Sequence, residues 1–255
     1  MATVKEIYSA LDALIPRELS APWDNDGLMV CENGDREVKT VLLALDATAA
    51  VCAEGEKYDL IVTHHPLLFR KLGAVTEDFF VSKKVLDLVR SRTAVMSFHT
   101  RFDAMDGGMN DILARKLNLK NIAKFGDAES PTLGRIGDIT PTSAEALSEK
   151  IKKTLGAPFV LLADTGKKIK KLAVCGGDGG DFIAPAKAAG ADALLTGRAG
   201  YNRAVDAIDD GITVIEAGHY YTEAVFAEYF EDFFKTHYPE IAVTRSPRGC
   251  AIKAI

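Results

Sequence analysis

His64 and His65 are adjacent and follow the apolar run Leu60-Ile61-Val62. A run without polar alternation reads as a strand buried on both faces, and Pro66 ends it because proline cannot donate to a ladder. Two imidazoles therefore stand at the carboxyl end of a buried strand, the edge of an open α/β sheet where ligands bind. A single buried histidine is usually a satisfied core group. Neighbouring strand side chains point to opposite faces unless the backbone turns, and the break at Pro66 supplies a turn. Both rings can then face one cavity and offer ring nitrogens to a metal ion.

Two more strand ends carry the same kinds of residue. Ala94 to Phe98 reads as a strand running into His99-Thr100-Arg101-Phe102-Asp103. Thr213 to Ile215 leads through Glu216 and Gly218 into a helix expected from His219 to about Lys235. His219 and Glu223 are four apart on its first turns and share a face. Capping could account for Glu223, since acidic residues favour a helix start. It does not account for His219, whose imidazole would be held neutral at a positive helix end and so ready to bind metal. Asp46 closes the run Val41 to Leu45, where it either orients an imidazole or caps the helix that follows; the cap is the preferred reading. The collected set is His64, His65, Asp103, His219 and Glu223, with His99 and Asp46 in reserve. Nitrogen and carboxylate donors without thiolate suit Zn, Fe, Mn, Ni or Co and argue against an iron–sulfur cluster. Five ligands exceed what one tetrahedral ion takes, and a bridging carboxylate makes two ions the natural count.

The elements that must position these groups follow from pattern and composition. With 255 residues, 47% hydrophobic and 26% charged, the chain is long enough for one large or two modest domains. A net charge of −5 gives no footprint for nucleic acid, and the lysines at 150, 152, 153, 167, 168, 170 and 171 read as solvated faces. No apolar run approaches the roughly 20 residues that span a bilayer, and the N-terminus lacks the order of a signal peptide, so a cytoplasmic protein is expected. Cys31, Cys52, Cys175 and Cys250 are far apart and read as small core residues.

Val4 to Leu14 shows a 3.6-period apolar stripe and predicts an opening helix. The loop Ser20 to Gly27 holds the only tryptophan, Trp23, with Asp24 and Asp26; it is either a rim of the site or a turn anchored by a buried aromatic. Val41 to Leu45, a helix over Ala49 to Lys57 and a strand over Asp59 to Thr63 make a βαβ unit with parallel strands. A helix over Ser82 to Arg92 follows, and Gly107-Gly108 turns the chain into another over Asn110 to Leu117. Gly126, Pro131, Gly134, Gly137 and Pro141 punctuate the chain, which places a domain boundary there: a first lobe over 1–125 and a second over 126–255, interleaved. Ser143 to Leu155 is a helix with Thr142 or Ser143 as its N-cap and Gly156 as its stop, and Phe159 to Leu162 is a strand. Lys171 to Cys175, a helix and Asp192 to Thr196 repeat the first βαβ unit, with Gly197 and Arg198 in the place of the two histidines. The fold class is α/β, two similar lobes of mixed or parallel sheet flanked by helices, related by a diverged internal duplication.

Thr63-His64-His65-Pro66-Leu67, the segment Ser97-Phe98-His99-Thr100 to Asp103 with Gly107-Gly108-Met109-Asn110-Asp111, and Gly218-His219-Tyr220-Tyr221-Thr222-Glu223 resemble the Nif-three-like proteins, also called GTP cyclohydrolase I type 2 homologues. The resemblance takes in Trp23-Asp24-Asn25 with Gly27-Leu28 and the Leu133 to Gly137 turn, and so covers nearly the whole chain. It implies a two-lobed subunit with a dinuclear metal centre between the lobes, assembled into a toroidal homohexamer, and it is the short bacterial form that is resembled. Carried over residue by residue, the metal ligands are His64, His65, Asp103, His219 and Glu223. His99 lies outside that set; with Asp46 and Arg198 it remains a residue that supports a ligand or meets the substrate. Arg198 and Asn202 stand where many relatives carry an acidic residue and a histidine, so substrate identity does not transfer. Arg198 suits a phosphate or carboxylate, or pairs with an acidic neighbour. The expected function is metal-dependent hydrolysis, cyclohydrolase-like, of a small substrate such as a nucleotide-like one, through a hydroxide bridging two divalent ions. The alternative is a metal-binding or metal-delivery assembly protein without turnover.

Overall fold

The computed structural model describes residues 2–254. The chain divides into two compact units, one formed by the residues up to Phe102 together with Phe226–Ala251, the other by Asp103–Val225 and the residues after Ala251.

In the first unit a five-stranded sheet runs in the order Gly27–Val30, Ala94–Ser97, Leu60–Thr63, Thr40–Ala44, Ala242–Arg245. All neighbours are parallel except Gly27–Val30, which lies antiparallel to Ala94–Ser97. Leu60–Thr63 is the central strand and every residue in it is buried, as its unbroken apolar run requires. The helix Val4–Leu14 buries Val4, Ile7 and Leu11, and Thr3 and Glu6 close a capping box at its start that its sequence pattern also carries. The helix Phe226–His237 buries Phe226, Phe230, Phe233 and Phe234. Its Phe226 and Phe230 rings are 4.3 Å apart, and Phe98 and Phe102 lie 5.5 and 5.4 Å from Phe230.

The second unit holds a six-stranded sheet in the order Lys120–Phe125, Gly134–Thr142, Ile169–Asp178, Ala193–Arg198, Thr213–Glu216, Leu161–Ala163. Ile169–Asp178, Ala193–Arg198 and Thr213–Glu216 are parallel; the other pairings are antiparallel. Each sheet thus has three successive parallel strands joined by helices, with an antiparallel strand beside the last. Asp59 and Asp192 do the same job in the two. Asp59 Oδ2 accepts from the backbone N–H of Lys39 and Thr40 at 2.9 and 3.0 Å, and Asp192 Oδ2 from that of Lys170 and Lys171 at 2.8 and 2.9 Å. The chain is therefore α/β, with two mixed sheets flanked by helices.

Two expectations are corrected. The Gly- and Pro-punctuated stretch contains the nine-residue strand Gly134–Thr142, where small residues allow close approach: a β-carbon at Gly137 would meet Lys120 O at 2.7 Å. The single helix expected from His219 is two, His219–Glu223 and Phe226–His237. Thr222 and Glu223 are buried in the second unit while Phe226 and Phe230 fill the core of the first, so the two faces answer to different cores. Among the described residues no helix is long and apolar enough to cross a membrane.

Candidate functional site

In the first unit the chain turns as it leaves Leu60–Thr63. Thr63 Oγ1 donates to His65 O at 2.9 Å and lies 2.8 Å from Ser97 Oγ, while His65 N–H reaches Leu45 O at 3.0 Å. This turn brings the neighbouring rings to one side, with centroids 4.9 Å apart. His99, which follows Ala94–Ser97, joins them at 5.1 Å from His64 and 5.5 Å from His65. One ring nitrogen of each of the three lies within 4.8 Å of the others. His64 is fully buried, His65 and His99 partly.

Each of the three Nδ1 atoms meets an oxygen: His64 with Phe98 O at 2.8 Å, His65 with Asp46 Oδ1 at 2.8 Å, His99 with Asp24 Oδ1 at 2.9 Å. Asp46 is therefore not the helix cap preferred from the sequence. Thr48 caps Ala49–Gly55 through its hydroxyl, which leaves the Asp46 carboxylate to His65. The Trp23 loop is likewise not anchored by a buried indole. Trp23 is exposed and meets Phe69 and His99 edge-on, both at 6.0 Å.

That loop is held by its carboxylates, and the sequence did not single out their partners. Asp26 Oδ2 accepts from Arg101 Nε at 3.0 Å and from the backbone N–H of His99 at 3.1 Å. Arg101 Nη1 donates to Asp12 Oδ1 at 2.6 Å and Ile15 O at 2.9 Å, and the guanidinium lies 4.6 Å from the Phe98 ring. The available signal was an arginine between two apolar phenylalanine positions, which needs buried acids to pair with.

Burial pushes the Asp24 carboxyl up, but its bonds with His99 and with the Thr100 hydroxyl and N–H outweigh that and bring it from 3.8 to about 2. A carboxylate depressed in the folded state adds stability that is complete above its unfolded pKa and is lost as pH falls through the folded value. Asp24 should thus contribute about 2 kcal/mol above pH ~4 that disappears towards pH ~2. Urea midpoints followed over this range should fall less steeply for Asp24→Asn than for the native chain; parallel curves would remove Asp24 from the account.

In the second unit Gly218, at φ +85°, opens the helix His219–Glu223. Only glycine adopts this backbone readily. His219 Nε2 lies 3.0 Å from Glu223 Oε2, with Glu223 buried and His219 partly exposed. Gly177, at φ +67°, passes beside them, and a β-carbon there would strike Glu223 Oε1. The chain of Asp103 is tied down by Asn110, whose Nδ2 donates to Asp103 O at 3.4 Å and Leu133 O at 2.8 Å while its Oδ1 accepts from Gly176 N–H at 2.9 Å. Buried Arg135 adds bonds to Ala104 O and Met105 O, both 2.9 Å, and an ion pair with Asp111 at 3.0 Å. The Asn110-Asp111 and Leu133 to Gly137 motifs are thus the brace of Asp103. Burial, and then the charges of Asp103 and Glu223, push the Cys175 thiol well up, so it stays a protonated core group.

Arg198 ends its strand exposed, in register beside Asp178, and makes no ion pair among the described residues. Asn202 is exposed in the first turn of Tyr201–Asp210. The first unit offers three imidazoles whose Nδ1 atoms are held by oxygens and the second an imidazole beside a carboxylate, donor types that suit a divalent transition-metal ion.

Comparison with known proteins finds matches over most of the chain. The family description Duf34/NIF3 (NGG1p interacting factor 3) matches residues 2–248. The GTP cyclohydrolase 1 type 2 homolog of Lactococcus lactis is 36% identical over 227 residues, covering 87% of each chain. That of Clostridium perfringens is 35% identical over 230 residues, covering 86% of each. Among solved structures, reduced HcgD from Methanocaldococcus jannaschii superposes with a TM-score of 0.85 at 30% identity, covering 97% of this chain and 98% of the other.

Proposed function

This chain belongs to the Duf34/NIF3 family, and we propose from that premise that it is a metal-dependent, cyclohydrolase-like hydrolase in which His64, His65, Asp103, His219 and Glu223 hold two divalent ions. The observation that carries this reading is the anchoring of His64 Nδ1 on Phe98 O and His65 Nδ1 on Asp46, which fixes both tautomers with the lone pair on Nε2. Bound ions would supply Lewis-acid polarisation of the substrate and acidify a water towards neutrality. The chain's own part is to orient and to exclude. Asp46 and Phe98 O aim the imidazoles, Asn110 and Arg135 hold the segment of Asp103, and Gly177 leaves room for the Glu223 carboxylate. Arg198, a cation at a strand's carboxyl end, suits the phosphate or carboxylate of a small, nucleotide-like substrate. The relatives' name makes GTP the first compound to try.

Turnover should be sought with the metal-loaded protein on GTP and other nucleotides, phosphate esters and cyclic amides. A hydrolysed substrate should be lost at least ~1000-fold in His64→Ala, because one ligand and its orienting contact vanish together. Absence of turnover across the panel, with two ions bound, would favour the alternative of a metal-binding or metal-delivery protein. We further propose a cytoplasmic homohexameric ring, expected to show as a mass of six chains in light scattering.

A further inference from the structure

We propose that Trp23 and Phe69 form a platform on which the substrate stacks a planar heteroaromatic ring of the nucleobase kind, making these two side chains determinants of specificity. This deepens the hydrolase reading above and rests on it in taking the histidine end of the first sheet as the place of reaction. Trp23, Phe69 and His99 stand at the corners of a nearly equilateral triangle, with ring centroids 6.0, 6.0 and 6.1 Å apart and planes crossing at 67°, 69° and 85°. A ligand ring resting on the first two would therefore lie against the third.

Both side chains are open to solvent, Trp23 54% and Phe69 45% exposed. Their backbones are nevertheless clamped. Ala21 N–H donates to Thr100 Oγ1 at 2.9 Å, Asp24 Oδ2 accepts from Thr100 N–H at 3.0 Å, and Asp24 N–H reaches Ala21 O at 2.9 Å, so Trp23 is fixed on both sides. Asn25 Nδ2 donates to Leu68 O, which ties this loop to the residue before Phe69. Rigid aromatic side chains on a fixed loop lose little freedom when a ligand covers them, and that makes such a face a ready binding surface. The surroundings select the ligand. Phe69 walls a cavity of about 600 Å³ together with Leu67, Arg70 and Lys71, a volume typical of a small-molecule site. Aromatic faces attract cations as well as rings, but the charges of Arg70 and Lys71 on that wall repel a cationic ligand. A planar ring, neutral or carried on an anion, meets both conditions, and aromatic side chains stack any base because every base has a π-face.

Trp23 is the only tryptophan of the chain, so its fluorescence reports the platform alone. The full chain, loaded with zinc, is excited at the red edge of indole absorption and titrated with guanosine and with adenosine, with ribose 5-phosphate as the control that lacks a ring. Both nucleosides should quench the emission saturably, and ribose 5-phosphate should leave it unchanged. In calorimetric titrations Trp23→Ala and Phe69→Ala should each weaken nucleoside binding ~10–100-fold, whereas Trp23→Phe, which keeps a ring, should stay within ~5-fold of the native chain. No saturable quenching, equal quenching by ribose 5-phosphate, or native affinity in Trp23→Ala would overturn the proposal. So would an emission that shifts with protein concentration alone, the sign of a second copy covering the indole. Nucleoside binding that depends on Trp23, with no turnover of any nucleotide, would leave the ring site standing and end the hydrolase reading. Hydrolysis of phosphate esters that Trp23→Ala leaves unchanged, with no nucleoside bound, would do the reverse.

Discussion

Glu223→Gln is expected to cost the purified protein at least one bound metal ion per chain while the far-ultraviolet circular dichroism stays native. The exchange keeps the shape of a buried side chain that lies beside Gly177 and 3.0 Å from His219, and removes only its charge. Two divalent ions would then face each other with one negative charge fewer, and the affinity of at least one should drop by ~100-fold or more. The fold should survive because the second unit is held by its parallel strands, with Leu172, Ala173, Leu194 and Leu195 fully buried. Retention of two ions at unchanged affinity would make Glu223 a helix-start residue and dismiss it as a ligand.

The largest loss of stability is expected from Arg101→Met. Its guanidinium and the Asp26 carboxylate are both fully buried, and they pair at 3.0 Å. Removing the cation leaves a buried carboxylate uncompensated, which costs about 3–5 kcal/mol. Asp12, partly exposed, can turn to water, so Asp26 carries the penalty. Combining Arg101→Met with Asp26→Asn should therefore restore a measurable part of the urea midpoint that the single exchange removes. A single variant within ~1 kcal/mol of native would show that hydrophobic packing, and not this pair, anchors the loop.

What was legible in the sequence was what depends on neighbours along the chain. The run Leu60 to Val62 states its burial outright, and Ser143 and Gly156 bracket their helix as expected, with Gly156 left-handed at the stop. The likeness of Asp59-Leu-Ile-Val-Thr to Asp192-Ala-Leu-Leu-Thr was visible as letters. Its reason, a carboxylate closing two backbone N–H groups of the neighbouring strand, needed the sheet. The errors fall where a distant partner decides. Gly134–Thr142 reads as a broken segment, yet its glycines are paired by strands on either side and Pro141 falls where the pairing with Ile169–Asp178 shifts register. Asp46 looks like a cap until His65, 19 residues on, claims it. Asp24 and Asp26 bind His99 and Arg101 more than 70 residues away, and no local period announces that.

The return of the chain to the first unit at Phe226 governs how the protein can be made. As the polypeptide leaves the ribosome, Thr40–Ala44 must wait for Ala242–Arg245, its parallel partner some two hundred residues later. Until then that strand is an open sheet edge, and the places of Phe226 and Phe230 beside Phe98 and Phe102 are vacant. The inserted unit, whose strands are contiguous in sequence, can close first. Pairings of such long separation form slowly and leave apolar edges open to other chains meanwhile. A polypeptide arrested before Phe226 should therefore require chaperones to stay dispersed, and the histidines at the strand ends acquire their packed surroundings only as synthesis finishes.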